Sequence, residues 1–263
     1  MQDRPVSDVV TASFSPCAAD ADGGAPGPPL PNAPLGRRTA EGADDAPRAR
    51  RVVLKVGGSA AFPSGIDRLA RIAESIRLMS TGGTGVVVAV AGDGVFSHGE
   101  AAVRIGRAQA DAAGMAATGV NALVLQGLLE AAGVETEVFS RGPCAAIGNH
   151  YSGARIDHAL RHGRVAILAG GMGVAGFSAD LPAVHAAIDV GADMVILLGG
   201  AARPPSESTV SELLVRGPRV LDSSTLTLAL NFGKRICMIS ASHVEGVLRA
   251  VRGEPVGSVI HPR

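Results

Sequence analysis

Short apolar runs that end in glycine alternate with longer segments of helical period along most of this chain. Four such runs occur at 51–56, 85–92, 164–171 and 193–200. The segment 65–79, between the first two, places an apolar side chain at every third or fourth position, which is the period of a helix. Strands that alternate with helices form parallel sheets with right-handed crossovers. The sequence therefore predicts an α/β fold, a three-layer α/β/α sandwich with a mainly parallel sheet.

The first 49 residues have a different composition from the rest of the chain. They are rich in Pro, Gly, Ala and Asp and contain few large apolar side chains. Such a segment cannot bury enough apolar surface to offset the entropy lost on ordering. The sequence predicts a disordered N-terminal tail at 1–49 and a single domain at 50–263.

Glycine-containing turns follow four of the predicted strands. They read KVGGS, AGDG, AGGMGVAG and LLGGAARPP, at 55–59, 91–94, 169–176 and 197–205. In parallel α/β sheets, ligands bind beyond the carboxyl ends of the strands. Backbone N–H groups at such turns and at helix N-termini bind anions. The Walker A pattern GxxxxGK[ST] is absent, so we expect an anion site of another kind.

Lys55, at the edge of the first of these turns, is one of only two lysines in the chain; the other is Lys234. Arginine supplies the remaining basic groups, so a general need for positive charge does not explain Lys55. A compact ammonium differs from a flat guanidinium in the ligands that it fits. Beside exposed backbone amides, it can supply the point charge that a phosphoryl group requires.

Several segments resemble, in order and spacing, the amino acid kinase superfamily, and most closely the bacterial uridylate (UMP) kinases. The resemblance covers about residues 50–263. The segments that carry it read LKVGGS, VAVAGDGVF, ADAAGMAATGVNALVLQGLLEAAG, RVAILAGGMGVAGFSAD, VLDSSTLTLAL and VRGEPVGSVI.

The resemblance implies a phosphoryl-transfer site. It implies that Lys55 neutralises charge on the transferring phosphate, that Asp180 holds Lys55 in place, and that Asp111 accepts hydrogen bonds from a ribose. It also implies that ATP is the donor, with Mg²⁺ arriving on the nucleotide and no resident metal. The phosphate- and nucleotide-binding residues that it implies are Gly57, Gly58, Gly92, Asp93, Gly94, Asp111, Gly171 and Gly173.

The chain also departs from the family pattern. The donor-side segment that carries a second lysine is replaced by LLGGAARPPSESTVSELL, at 197–214. Met172 and Val174 stand where the uracil-binding loop has polar groups, which predicts that UMP is a poor acceptor. The phosphate-binding arginine of the family is missing, and Arg104 and Arg107 could replace it or could face solvent.

Three functions therefore stay open at the level of the sequence. The first is a kinase that moves a phosphoryl group from a nucleoside triphosphate to a nucleoside monophosphate or a related small acid. The second is a catalytically degenerate homologue that binds a nucleotide or anion and acts as a regulatory protein or an oligomer partner. The third, which the sequence supports least, is an anion-storage protein of the same fold.

Composition argues against several other classes. The chain has 24 basic and 24 acidic residues and few aromatic ones, which gives no reason to expect nucleic acid or an anionic membrane as partner. No apolar run looks long enough to span a bilayer, and three widely spaced cysteines indicate reduced thiols. We therefore expect a cytoplasmic protein. The family resemblance and the apolar segment 113–133 predict a homo-oligomer, a hexamer by that resemblance.

Overall fold

The computed structural model describes residues 49–57, 66–92, 98–199, 206–216 and 220–263. The strands within these ranges are β1 Arg51–Val56, β2 Gly85–Val90, β3 Thr136–Ser140, β4 Asn149–His150, β5 Val165–Ala169, β6 Met194–Leu198, β7 Glu207–Thr209, β8 Ile236–Ile239 and β9 Ser258–His261. The helices are α1 Ile66–Thr81, α2 His98–Ile105, α3 Arg107–Ala131, α4 Gly153–Arg161, α5 Leu181–Asp189, α6 Val210–Arg216, α7 Ser223–Asn231 and α8 Gly246–Val251, with a 3₁₀ helix at Gly142–Ile147.

The nine described strands form one sheet in the order β4-β3-β5-β2-β1-β6-β8-β9-β7. Neighbouring strands are parallel except β8 and β9, which are antiparallel. The central strands are buried on both faces and read as continuous Val, Ile and Leu, as parallel strands between helices do. The mainly parallel α/β sheet confirms the predicted fold class.

Two hydrophobic cores lie on the two faces of the sheet. One contains residues of α1, α3 and α8, and the other contains residues of α4, α5, α6 and α7. Alternate side chains of β1 enter different cores: Val52, Leu54 and Val56 enter the first, and Val53 enters the second. Because side chains alternate along a strand, Lys55 lies on the same face as Val53, which is the face that α5 covers.

The long helix α3 corrects one prediction. We expected no apolar segment long enough to span a bilayer, but among the described residues α3 is long and apolar enough to do so. Its buried residues, which include Ala122, Leu125 and Leu129, pack into the core. A core helix meets the same criteria of length and composition, so these alone do not place α3 in a membrane.

The predicted tail cannot be compared with the structure, because residues 1–48 lie outside the described part of the chain. The described fold begins at Ala49, which is buried and donates its N–H to the carbonyl of Val251 at 3.0 Å. The disordered tail therefore stays a prediction.

Candidate active site

Lys55 and Asp180 meet at the carboxyl ends of the central strands. Lys55 is the next-to-last residue of β1, and its Nζ lies 3.1 Å from Oδ1 of Asp180. The two side chains are 14% and 23% exposed. Salt screens partly buried pairs less than pairs in open solvent. The ion pair can therefore hold the lysine ammonium in one place.

Asp180 immediately precedes α5, where the helix leaves backbone N–H groups without partners in the helix. The hydroxyl of Ser178 accepts hydrogen bonds from the N–H groups of Asp180 and Leu181, at 3.2 and 3.4 Å. Unpaired N–H groups and the helix dipole favour negative charge at this end. An anionic ligand is therefore favoured at the start of α5.

A second carboxylate, Asp222, ties the start of α5 to the start of α7. It accepts hydrogen bonds from the Ser178 hydroxyl, from the Thr225 hydroxyl at 2.6 Å and from the Thr225 N–H at 2.9 Å. Burial by itself would raise the pKa of Asp222, but the hydrogen bonds from Ser178 and Thr225 outweigh it and lower the pKa. The ionised Asp222 orients Ser178, and through it the turn that carries Asp180. Sequence reasoning assigned no role to Asp222, although its spacing to Thr225 is that of an N-cap.

Two of the predicted phosphate-binding glycines allow close backbone approaches. A Cβ on Gly57 would lie 2.9 Å from Cε of Lys55 and would overlap the Cβ of Ala91. A Cβ on Gly92 would overlap the carbonyl oxygen of Gly114 in α3. Glycine thus lets the turns after β1 and β2 pack against Lys55 and α3. The predicted Gly58, Asp93 and Gly94 lie outside the described residues.

The loop after β5 uses glycine for its conformation. Gly170, Gly171, Gly173 and Gly176 all have φ between +58° and +97°, a region that side chains disfavour. Both ends of the loop are tied to α3. The N–H of Gly170 donates to the Thr118 hydroxyl, and the N–H of Gly176 donates to Oδ2 of Asp111, each at 2.6 Å.

A cavity of about 340 Å³ lies between α3, this glycine loop and the start of α5. It borders the ion pair, because Ala89, the neighbour of Lys55 on β2, and Ala179, which precedes Asp180, both line it. The described residues that line it are Ala89, Val90, Gly92, Arg107, Asp111, Gly114, Met115, Thr118, Leu168, Gly171, Met172, Val174, Phe177, Ser178, Ala179 and Pro182. The structure therefore brings Gly92, Asp111 and Gly171 to one cavity.

Asp111 lies in the cavity wall, 7% exposed. One carboxylate oxygen accepts from Nε of Arg107 at 2.7 Å and the other accepts from the N–H of Gly176. The predicted contact to a ribose stays a prediction. Of the two arginines left open by the sequence, Arg107 lines the cavity, and Arg104 is not among its described lining residues.

Lys234 cannot replace the second lysine of the family, because it lies at the amino ends of the strands, whereas the site lies at their carboxyl ends. Its Nζ donates to the carbonyl of Ala192 at 2.9 Å, just before β6 begins. At its carboxyl end, beside the site, β6 is followed by Gly199, where a Cβ would overlap the carbonyl oxygen of Gly57. Residues 200–205 of the altered donor-side segment lie outside the described residues.

Comparisons with known proteins show what this chain is similar to. Residues 50–201 match the model of the amino acid kinase family. The uridylate kinase of Mycobacterium tuberculosis (strain ATCC 25618 / H37Rv) is 32% identical over 230 residues, which are 80% of this chain and 87% of that protein. The uridylate kinase of Mycobacterium leprae (strain TN) is 31% identical over 229 residues, 80% and 89% of the two chains.

Two solved structures share the fold. The UMP kinase from Bacillus anthracis superposes with a TM-score of 0.76 at 24% identity, over 82% of this chain and 97% of that one. The UMP kinase from Ureaplasma parvum superposes with a TM-score of 0.73 at 21% identity, over 81% and 100%. The range that matches the family model includes Lys55, Asp111 and Asp180.

Proposed function

The chain belongs to the amino acid kinase family, and we propose that it is a UMP kinase-like phosphotransferase. It would move a phosphoryl group from a nucleoside triphosphate to a nucleoside monophosphate or a related small acid. The observation that carries this proposal is the Lys55–Asp180 ion pair beside a cavity at the carboxyl ends of the strands. Phosphoryl transfer depends mainly on positioning and on charge neutralisation, and needs no covalent nucleophile.

Each part of the site has a role in this proposal. The ammonium of Lys55 neutralises charge on the transferring phosphoryl group, and Asp180 keeps it in place. Backbone N–H groups at the glycine turns bind phosphate oxygens; the turns contribute Gly57, Gly58, Gly92, Asp93, Gly94, Gly171 and Gly173. Asp111 and Arg107 would contact the acceptor from the wall of the cavity.

We propose ATP as the donor, with Mg²⁺ bound to its phosphates. Among the described residues, no group of three or more His, Cys, Asp or Glu could hold a metal ion. A magnesium ion carried by a nucleotide needs no such group, because phosphates and water supply most of its ligands. When bound, Mg²⁺ supplies further neutralisation of the phosphate charge. Asp180, at the strand ends, would be the carboxylate that holds the ion through its water ligands.

A coupled assay of ADP release tests the proposed function. The purified chain is supplied with ATP and Mg²⁺ and, in turn, with each nucleoside monophosphate and a set of small phosphates and carboxylates. ADP release that depends on one acceptor, with an equal amount of phosphorylated product, is the expected result. Binding of ATP without any acceptor-dependent ADP release would contradict phosphotransfer and would support the degenerate homologue.

We also propose that the protein is cytoplasmic and acts as a homo-oligomer, with α3 in an interface between copies. Val120, Leu123 and Val124 lie on the exposed side of α3, at the spacing of one helical face. Val103 and Ile105 of α2, which packs on α3, are exposed as well. Adjacent apolar side chains in contact with water indicate an interaction surface.

Replacing Leu123 with glutamate should dissociate this oligomer. Leu123 is 46% exposed in one copy, and a carboxylate without a partner costs several kcal/mol when an interface buries it. We expect the dissociation constant to rise on the order of 100-fold or more. Light scattering and sedimentation measure it. Val215→Glu is the matched control, because Val215 lies on α6 and is 89% exposed. A monomeric wild type, or equal effects of the two variants, would exclude the α3 interface.

A further inference from the structure

The wall of the cavity beside Lys55 and Asp180 is mainly apolar. Its larger described side chains are Met115, Leu168, Met172, Val174, Phe177 and Pro182. Three of these, Met172, Val174 and Phe177, belong to the glycine loop and the residues that follow it. The loop therefore presents methyl, thioether and aromatic groups to a ligand, where a nucleobase would need hydrogen-bonding groups.

The polar side chains of the wall are already engaged in holding the site together. The Thr118 hydroxyl donates to the carbonyl of Met115 and accepts from the N–H of Gly170, each at 2.6 Å. The Ser178 hydroxyl donates to Asp222 and accepts from the start of α5. A pyrimidine base carries donors and acceptors on its edges, and burying them without partners weakens binding. The described wall offers few groups that could pair with such a base.

The mouth of the cavity exposes apolar surface that a ligand could cover. Val174 and Phe177 line the cavity and are 57% and 44% exposed. Covering such side chains with an apolar group is favourable because it removes apolar surface from water. Met115 and Met172 can adjust their shapes to the group that enters.

Arg107 provides an anion-binding group at the same cavity. Its Nε donates to Asp111. Its two terminal nitrogens make no hydrogen bond to any residue in the described ranges. A guanidinium held in this way can present paired N–H groups to a phosphate or a carboxylate. The cavity thus combines an apolar wall with a guanidinium whose Nε is paired with Asp111 and whose terminal N–H groups can face an anion.

We propose that the acceptor is a small phosphate monoester whose organic group is apolar, an alkyl or aryl group and not a nucleoside. This inference rests on the proposed phosphotransfer, and it names the acceptor class for the same site. The cavity volume of about 340 Å³ lies near the lower end of the roughly 300–1,000 Å³ found for small-molecule pockets. A compact alkyl or aryl group suits that size.

A homologous series of alkyl phosphates tests the acceptor class by binding alone. Calorimetry gives the dissociation constants of methyl, ethyl, propyl and butyl phosphate, with UMP, inorganic phosphate and butyrate beside them. Burial of each added methylene should strengthen binding about fourfold. Butyl phosphate should therefore bind more tightly than UMP, inorganic phosphate and butyrate.

A pair of matched valine variants connects the series to the cavity. Val174→Asn should weaken the binding of butyl phosphate about fourfold or more, which is the loss expected for at least one methylene contact. It should also reduce the increase in affinity from methyl to butyl phosphate. Val215→Asn makes the same change on α6, which contributes no described residue to the cavity wall. That control should bind the series as the wild type does.

The outcomes separate this inference from the proposed function. Each of four results would overturn the apolar acceptor. UMP binds more tightly than butyl phosphate, affinity does not rise along the alkyl series, the two valine variants have equal effects, or none of these compounds binds. Phosphorylation of nucleoside monophosphates together with a flat series would leave the phosphotransfer standing. A rising series without ADP release would leave the apolar phosphate site standing and exclude phosphotransfer. Tighter binding of butyrate than of butyl phosphate would overturn the phosphate part of the inference.

Discussion

Replacing Lys55 with alanine should lower kcat about 10²- to 10³-fold, the loss typical of removing one group that stabilises transition-state charge. The affinity for a phosphate-bearing ligand should also fall, by about 1.5–3 kcal/mol for a lost charge-assisted hydrogen bond. The reason is the position of Lys55, whose ammonium is held by Asp180 beside the cavity. Turnover by the coupled assay and nucleotide affinity by calorimetry measure the two effects.

The fold should tolerate this change. Lys55 lies at the end of β1. When its ammonium is removed, the N-terminus of α5 still provides a favourable environment for the charge of Asp180. We expect the free energy of unfolding to change by about 1 kcal/mol or less, as for other exchanges of partly exposed ion pairs. That corresponds to a shift in melting temperature of about 2–4 °C at most for a domain of this size.

Two further lysine variants make the test specific. Lys55→Arg should restore activity only in part, because a planar fork does not occupy the place of a compact ammonium. Lys234→Ala removes the other lysine, which lies at the amino ends of the strands, away from the site, and should leave kcat unchanged. If Lys55→Ala binds and turns over substrates as the wild type does, Lys55 serves only as the ion-pair partner of Asp180.

Replacing Gly170 with alanine should cause the largest loss of stability that we expect from a single methyl group. Gly170 has φ +82°, and a Cβ there would overlap the carbonyl oxygen of Arg141 and lie 2.9 Å from its backbone nitrogen. The left-handed conformation costs about 1–2 kcal/mol for a residue with a Cβ, and overpacking adds about 1–3 kcal/mol. The free energy of unfolding should fall by about 2–5 kcal/mol in total.

Gly163→Ala separates these two causes. Gly163 lies before β5, at its amino end, with φ +76°, and a Cβ there would meet nothing within 4 Å. This variant should lose only the conformational part, about 1–2 kcal/mol. Urea unfolding of both variants and the wild type gives the comparison. Equal losses would show that Gly170 is needed for its conformation alone and not for the close approach to Arg141.

Gly170→Ala should also impair ligand binding, whereas Gly163→Ala should not. The N–H of Gly170 donates to Thr118, so a shift of this residue moves the glycine loop away from α3. That loop forms one wall of the cavity. We therefore expect weaker phosphate binding in calorimetry for Gly170→Ala, at a temperature where both variants remain folded.

The prediction of the fold succeeded where periodic segments were long. The buried runs that became β1, β2, β5 and β6 stand between segments of helical period, and both signals are strong. The strands β4, β7 and β9 were missed, and β4 and β7 contain only two and three residues. Such short pieces show no period of their own, and pairing with neighbouring strands creates them.

The structure brings some of the predicted site residues together, and their roles stay predictions. The family resemblance implied that Asp180 holds Lys55, and the structure places the two in contact. The sequence left the roles of Arg104 and Arg107 open, and in the structure Gly106, at φ +86°, separates α2, which contains Arg104, from α3. Arg107 therefore begins α3 and faces Asp111. Asp222 was missed because its role depends on Ser178, 44 residues away.

The sequence by itself determined the class of fold, the turns that could be tight, and the single lysine available at the strand ends. These follow from local properties, namely the spacing of apolar residues, the absence of a side chain on glycine and the scarcity of lysine. The tertiary structure alone decided which side chains meet. In the order β5-β2-β1-β6, the ends of strands that are distant in the chain become neighbours, and Lys55 comes to lie beside a carboxylate 125 positions further on. The energy of that contact depends on distance and burial in space, which no local pattern of residues records.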